Sequence, residues 1–314
     1  MTRTALIIDC DPGVDDAIAL FLAFASPESL EILAVTTAAG NVNAALTARN
    51  ARLIRQLAGR EEVPVHAGAA VPLVREPIVA SHFHGESGLG TLPVFEPTAP
   101  TAPGHAAQAI VDIVMSRPAG SVSMAVTGPM TNLALALRLE PAIADRLATV
   151  AVMGGARTEG GNITASAEYN IFADPHAAHV VFSAGVQTVV FGLDATHQVR
   201  ATPERLARIA AIDTVAARSV ATLIGFSAEV GRRLVGGAAP PMHDPCTIAW
   251  FLAPELFTAV PVDLRVETAS ALTLGHTAVE FRLDAAAASV ATTRWVTRAD
   301  GDGVFDLIFE RLAR

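Results

Sequence analysis

Thr4-Ala-Leu-Ile-Ile-Asp9-Cys-Asp11-Pro-Gly-Val-Asp15-Asp16 is the stretch that decides how this chain is read. Thr4 to Ile8 is a short apolar run, the pattern of a strand covered on both faces. It stops at four carboxylates within eight residues: Asp9, Asp11, Asp15 and Asp16. Pro12 and Gly13 supply a tight turn that can fold Asp15 and Asp16 back towards Asp11. Carboxylates this close repel one another and shift one another's pKa. A hard cation resolves the repulsion, because carboxylate oxygens suit calcium or magnesium. A plainer reading exists for two of them: Asp15 and Asp16 start a helical pattern, where the helix dipole favours negative charge. Capping accounts for one or two acids but not for four.

The same alternation continues outward from this stretch. Asp15 to Ala25 reads as a helix, Glu31 to Thr36 as a second strand and Asn43 to Ala58 as an amphipathic helix. Arg49, Arg52 and Arg55 line one side of that helix, which reads as a solvated face. Further strands are predicted at Val63 to His66, Val122 to Val126, Thr149 to Met153 and Thr188 to Leu193, with a helix starting near Thr131. Apolar strands separated by helices predict an α/β fold with a doubly wound, mainly parallel sheet and helices on both faces. Arg265 to Ser270, Thr277 to Leu283 and Val290 to Val296 read as additional antiparallel strands near the C-terminus, before a closing helix from Val304 to Leu312. The longest irregular stretch, about 75–104, holds five prolines with His82 and His84, and long loops of this kind tend to be functional. No repeat or linker interrupts the pattern, so residues 1–314 read as a single catalytic domain.

Composition narrows the classes. The chain has 314 residues, 51% hydrophobic and 17% charged, too apolar for disorder. Its net charge is −9, which argues against a nucleic-acid partner. All 22 basic residues are arginine, so a Schiff-base lysine and a Walker-type phosphate lysine are excluded. The alanine-rich, arginine-only character reads as codon bias. No segment has the roughly 18–20 unbroken apolar residues of a membrane span. The N-terminus enters a strand within five residues, leaving no room for a signal peptide, so a cytoplasmic location is expected. Cys10 and Cys246 make no disulfide framework and read as small packing residues.

Ligands of parallel sheets bind beyond the carboxyl ends of the strands. The residues there are Asp9 to Asp16, Gly40-Asn41, Thr127-Gly-Pro, Gly154-Gly155 with Asn162 and Glu168-Tyr-Asn170, and Asp194; a late segment adds Met242-His243-Asp244-Pro245. An apolar strand ending in Asp-x-Asp is also how magnesium-dependent phosphatases of the haloacid dehalogenase type begin. Gly301-Asp302-Gly-Val-Phe-Asp306 imitates their last acidic motif. Against that reading, Asp11 is followed by Pro-Gly-Val-Asp-Asp and the phosphate-binding lysine is missing, so Gly301 to Asp306 reads as a turn into the closing helix.

Another resemblance takes in more residues. Asp9-x-Asp11-Pro-Gly-x-Asp15-Asp16 resembles the N-terminal signature of the nucleoside hydrolases, in the inosine-uridine-preferring group. Gly40-Asn41, His84-Gly-Glu-Ser-Gly-Leu, Thr127-Gly-Pro-x-Thr-Asn132, Met153-Gly-Gly155, Glu168-x-Asn170-x-x-x-Asp174-Pro and His243-Asp244-Pro245 follow in that family's order. The resemblance implies the nucleoside hydrolase fold and hydrolysis of ribonucleosides to ribose and free base. It implies one Ca2+ per subunit on Asp11, Asp16, the Thr127 carbonyl and Asp244. It makes Asp11 the general base and His243 the group that assists the leaving base. Asp15, Asn41, Met153, Asn162, Glu168, Asn170 and Asp244 would hold the ribose, and His84 and Phe226 would lie near the base, with His82 an alternative to His84. Partners are then a small-molecule nucleoside and further copies of the chain in a homodimer or homotetramer, with no nucleic acid or membrane. Two departures stand out. The segment around 226–237 lacks the tyrosines common in the family, leaving Phe226, Glu229, Arg232 and Arg233. Tyr169 stands where Phe is more usual. A magnesium phosphohydrolase and a catalytically silent nucleoside- or ribose-binding relative are the alternatives.

Overall fold

A computed structural model describes residues 3–237 and 239–314. The first half runs β1 (Thr4–Cys10), α1 (Val14–Phe24), β2 (Leu30–Thr37), α2 (Ala44–Leu57), β3 (Val65–Ala67), α3 (Ser81–His84), α4 (Ala106–Ser116), β4 (Val122–Val126), α5 (Thr131–Leu139), α6 (Ile143–Arg146) and β5 (Leu147–Met153). It continues with α7 (Tyr169–Ala173), α8 (Pro175–Ser183), β6 (Thr188–Phe191), α9 (Leu193–Thr196), α10 (Pro203–Ala210), α11 (Val215–Val235) and α12 (Pro245–Leu252). The chain closes with β7 (Phe257–Val266), β8 (Thr277–Glu280), α13 (Ala285–Val290), β9 (Thr293–Ala299) and α14 (Gly301–Leu312). Among the described residues no helix is long and apolar enough to cross a membrane.

The expected α/β architecture is present. Nine strands form one sheet in the order β3-β2-β1-β4-β5-β6-β9-β7-β8. The pairs from β3 to β9 are parallel; β7 is antiparallel to β9, and β8 to β7. Successive side chains of a strand face opposite sides. Leu6 and Ile8 therefore enter the apolar layer that also holds α1, α11, α12 and α14, while Ile7 enters the layer containing α4, α5 and α8. This two-sided burial is why the first strand reads as a solid apolar run. Beyond β1 the chain returns to β2 on one side, and beyond β4 it goes to β5 on the other. The crevice between β1 and β4 is where such sheets bind ligands.

Several expectations need correction. The strand expected at Arg265 to Ser270 lies earlier, at Phe257–Val266. Pro261 argues against a strand, but β8 pairs only Asp263 to Val266, so at Pro261 β7 needs a partner on the β9 side alone. Val290 ends a short helix, and β9 begins at Thr293. Gly301 to Asp306 is not a turn: α14 begins at Gly301, capped by Asp300, whose carboxylate accepts from Gly303 N at 3.1 Å. The arginines of α2 do not form a solvated face. Arg49 donates to the Ser87 carbonyl at 3.1 Å, Arg52 pairs with Glu96, and the buried Arg55 donates to the carbonyls of Val63 and Ala99 at 2.8 and 3.1 Å. Through Ser87, Glu96 and Ala99 they fasten the long irregular segment, which itself contains α3, to α2.

Trp295 of β9 is fully buried and explains two of the glycines. A Cβ on Gly192 would overlap its ring, and Gly155, at φ +83°, packs its Cα side against Trp295 and Thr277. Gly192→Ala should therefore overpack the core and destabilise the fold by about 1–3 kcal/mol. Differential scanning calorimetry would read this as a lowered Tm, and an unchanged Tm would mean that the Trp295 ring yields freely.

Candidate active site

A cavity of about 570 Å3 opens at the crevice, within the roughly 300–1,000 Å3 usual for small-molecule sites. Its lining includes Asp15, Thr127, Met153, Asp244 and His243, together with Asn41, His84, Asn162, Glu168 and Asn170. Asp11 and Asp16 lie just beneath, fully buried. Carboxylate oxygens of Asp15, Asp16 and Asp244 come within 4.8 Å of one another, a grouping able to hold a metal ion. Asp244 comes to this cluster from the far end of the chain at the N-cap position of α12, with Pro245 at the first helical position; its side chain makes no capping bond among the described residues.

The turn after β1 builds the floor. Asp16 is the capping residue of the plainer reading: its Oδ2 accepts from Gly13 N at 3.0 Å. The same carboxylate also accepts from Asp11 N, the Thr127 hydroxyl at 2.7 Å and the Asn41 side chain at 3.0 Å. Asp11 sits between Gly40 and Gly128, and a Cβ on either would overlap its carboxylate. Its Oδ2 accepts from Asn41 N at 2.7 Å, while its buried Oδ1 has no partner among the described residues. An unpartnered buried carboxylate oxygen in an all-oxygen cluster is the donor chemistry of a hard cation. The residues present thus fit a metal.

Electrostatics support this. Burial, and then the charge of Asp16, hold the Asp11 carboxyl well above the usual range. Burial, and then Asp15, Asp16, Asp11 and Glu168, do the same for Asp244. Burial raises Asp15, and burial with the neighbouring Asp15 raises Asp16 to about 6. Asp9 does not join the cluster. Its Oδ1 accepts from Thr36 and Asn132 at 2.6 and 2.9 Å, behind the floor, and burial raises it to about 6.

The sugar-side candidates are partly engaged by the backbone. Glu168 caps α7, accepting from Asn170 N, Gly155 N and Ile171 N at 2.9–3.1 Å, and burial raises it to about 7. Asn170 donates to the Thr127 carbonyl at 2.7 Å and approaches Met153 Sδ at 3.3 Å. Asn162 stands at the rim and accepts from Tyr169 N at 2.8 Å.

Three imidazoles, His84, His243 and His197, border the cavity's other polar region. His84 accepts from Val14 N at 3.0 Å through Nδ1, which ties it to the start of α1, and burial lowers it to about 4. His82 also lines the cavity but is exposed and stacks on Phe83, with ring centroids 4.6 Å apart. His243 Nδ1 lies 2.8 Å from the Thr196 hydroxyl, which leaves Nε2 for a ligand. Burial, then His197, His84 and Arg200, lower His243 to about 3. Phe226 is not among the lining residues. It packs over Gly85 and Gly90 and against the core, while Ser227, Val230 and Gly231 of α11 face the cavity. Adjacent helical residues point about 100° apart, so one position decides which wall a side chain joins.

Thr196, His197 and Arg200 were missed, although they follow β6 and so stand at a strand's carboxyl end. Asp194, which was singled out there, instead holds the loop after β5, accepting from the backbone N–H groups of Arg157 and Thr158 at 2.8 and 2.7 Å. Cys10 and Cys246 are buried in one apolar layer, and burial raises both thiols. Asp302 and Asp306, which imitated a phosphatase motif, are exposed on α14 and paired with Arg205 and Arg208.

Comparison with known proteins agrees with this geometry. The family model for inosine-uridine preferring nucleoside hydrolase matches residues 6–306. The inosine-uridine preferring nucleoside hydrolase of Crithidia fasciculata is 43% identical over 278 residues, 88% of each chain. The pyrimidine-specific ribonucleoside hydrolase RihA of Salmonella gallinarum is 41% identical over 308 residues, 98% of this chain and 97% of that one. A plant nucleoside hydrolase structure superposes with a TM-score of 0.92 at 31% identity, covering 99% of both chains. The chain belongs to the inosine-uridine preferring nucleoside hydrolase family and is an enzyme acting on N-glycosyl compounds.

Proposed function

We propose that this enzyme is a calcium-dependent hydrolase that cleaves ribonucleosides to ribose and free nucleobase, with Asp11 as general base and His243 assisting the departing base. The observation that carries the reading is the Oδ1 of Asp11, without a partner among the described residues, beside the Asp15, Asp16 and Asp244 carboxylates at the floor of a cavity that also presents His243. Residues 1–314 act as one catalytic unit, since a single sheet draws strands from Thr4 to Ala299. The working form is taken to be a cytoplasmic homodimer or homotetramer.

Asp11, Asp16, the Thr127 carbonyl and Asp244 would hold the ion. When bound, calcium supplies the charge that offsets the carboxylates, holds the ribose diol and acidifies a water. Water attacks C1′ of the ribose and the C1′–N bond breaks with its electron pair going to the base, through an oxocarbenium-like state. Asp11 takes the proton from the water. Asp15, Asn41 and Asp244 orient the sugar hydroxyls, with Asn162, Glu168 and Asn170 towards the 5′ end and Met153 packed on the ring. His243 is neutral at working pH; with Nδ1 accepting from the Thr196 hydroxyl, its Nε2–H donates a hydrogen bond to the base as negative charge develops there, and the departing base takes its proton from water while Asp11 returns its own to solvent. His84, fixed on α1, is the second imidazole placed for the base.

Inosine or uridine should yield reducing sugar without phosphate, and Asp11→Ala should abolish this while circular dichroism stays native. Phosphate release from a phosphomonoester would instead favour the magnesium phosphohydrolase, and binding without turnover would favour a silent relative. His243→Ala should lower kcat by on the order of 100-fold or more. An unchanged kcat would remove His243 from the reaction.

Calcium added after chelation should raise Tm, through a stabilisation of roughly 2.7 kcal/mol at a hundredfold excess over Kd. The gain should grow with pH. Asp16 and Glu168 have folded pKa values of about 6 and 7, above their unfolded values. Their contribution to the ion-free protein is therefore present below about pH 4 and lost as pH rises through 6–7. A calcium shift equal at pH 5 and pH 7.5 would count against a carboxylate site.

A further inference from the structure

Tyr169 is the first residue of α7, and it lines the cavity. Its hydroxyl donates to the Gly40 carbonyl at 2.9 Å and lies 3.5 Å from the Ile78 carbonyl. Gly40 C=O and Asn41 N–H belong to one peptide group. The Asn41 N–H end of that peptide donates to Asp11 Oδ2 at 2.7 Å. A hydrogen bond at a peptide oxygen polarises the group and strengthens its N–H as a donor.

The Asn41 side chain extends the same grip. Its Nδ2 donates to the Asp11 carbonyl at 3.2 Å and to Asp16 Oδ2 at 3.0 Å. Gly40 has no Cβ, which is what lets this peptide lie so close to the Asp11 carboxylate. The Asn41 carbonyl in turn accepts from Ala80 N at 3.0 Å, at the entry to α3. The Gly40–Asn41 loop is thus a clasp on two of the floor carboxylates, fastened on its outer side by one phenolic hydroxyl.

We propose that Tyr169 is a positioning residue for Asp11, acting through the Gly40–Asn41 peptide to orient the carboxylate that takes the water's proton. The inference rests on the reading of Asp11 as base. Burial, and then the charges of Asp11 and Glu168, push the phenol's pKa up, so the hydroxyl keeps the proton it donates. The assignment is distinct from a substrate contact: the hydroxyl is spent on main-chain carbonyls, although the residue borders the pocket.

The test is Tyr169→Phe, which keeps the ring. Steady-state kinetics would use whichever of inosine and uridine is turned over faster, together with its 5′-deoxy analogue. Losing one hydrogen bond of ordinary strength should lower kcat roughly fivefold, with KM within about twofold of the parent. Tm should fall by no more than a few degrees, as for the loss of one hydrogen bond, and the fall in kcat should be the same for both substrates, because the hydroxyl does not need a 5′-hydroxyl to act. A fall confined to the 5′-hydroxylated nucleoside, a raised KM with intact kcat, or no change would overturn the proposal. Asp11→Asn is measured beside it. A fully active Asp11→Asn overturns the reading of Asp11 on which the proposal stands, whereas an inactive Asp11→Asn with parent-like Tyr169→Phe overturns only the role of Tyr169.

Discussion

Everything near the cavity depends on keeping Asp11, Asp16, Asp244 and Glu168 ionisable while burying them. Taking several carboxylates out of water together is expensive unless each is hydrogen-bonded or neutralised. The fold aims main-chain N–H groups at them: Gly13 and Asp11 to Asp16, Asn41 to Asp11, and Gly155, Asn170 and Ile171 to Glu168. This demand explains the glycines. Gly40 and Gly128 leave the space that Asp11 fills, and Gly13 leaves room for Asn41 and His84. The backbone satisfies both oxygens of Asp16 and of Glu168 and one of Asp11; among the described residues no main-chain N–H reaches Asp11 Oδ1 or the Asp244 carboxylate, and that remainder is the chemical opening of the site.

Charge is unevenly spread across the cavity. The main charged neighbours of Asp244 are acids and those of His243 are His197, His84 and Arg200, although Asp16 also acts on His84. Glycosidic cleavage makes the sugar cationic and the base anionic in its transition state. A pocket with carboxylates at one region and imidazoles with Arg200 at another presents that polarity before substrate arrives, the preorganised arrangement that lowers barriers most effectively.

The floor was legible in the sequence because its residues follow two simple rules: apolar runs mark buried strands, and ligand groups follow their carboxyl ends. Asp11, Asp15, Asp16 and Thr127 are local to β1 and β4, so their neighbourhood could be read in order. The supporting residues were less accessible. Thr196 meets His243 across 47 positions, and Tyr169 meets Gly40 across 129. Nothing in either residue's own surroundings announces the partner. The row of arginines on α2 failed for a related reason: helical periodicity tells which side a residue faces but not what chain will lie over it. Phe226 failed by one step of helical rotation.

The α2 clamp has a consequence for how such a pocket diversifies. Arg49 and Arg55, with Asn50, grip the irregular segment by the carbonyl oxygens of Ser87 and Ala99, while Arg52 and Gln56 hold the side chains of Glu96 and Thr98. Main-chain carbonyls are present whatever residue stands there. The course of the segment is therefore recorded in part on the helix beneath it, and side chains other than those of Arg75, His84, Glu96 and Thr98 are freer to vary. Mutation can sample new residues along this wall of the pocket while the acid floor, built from strand ends, stays untouched.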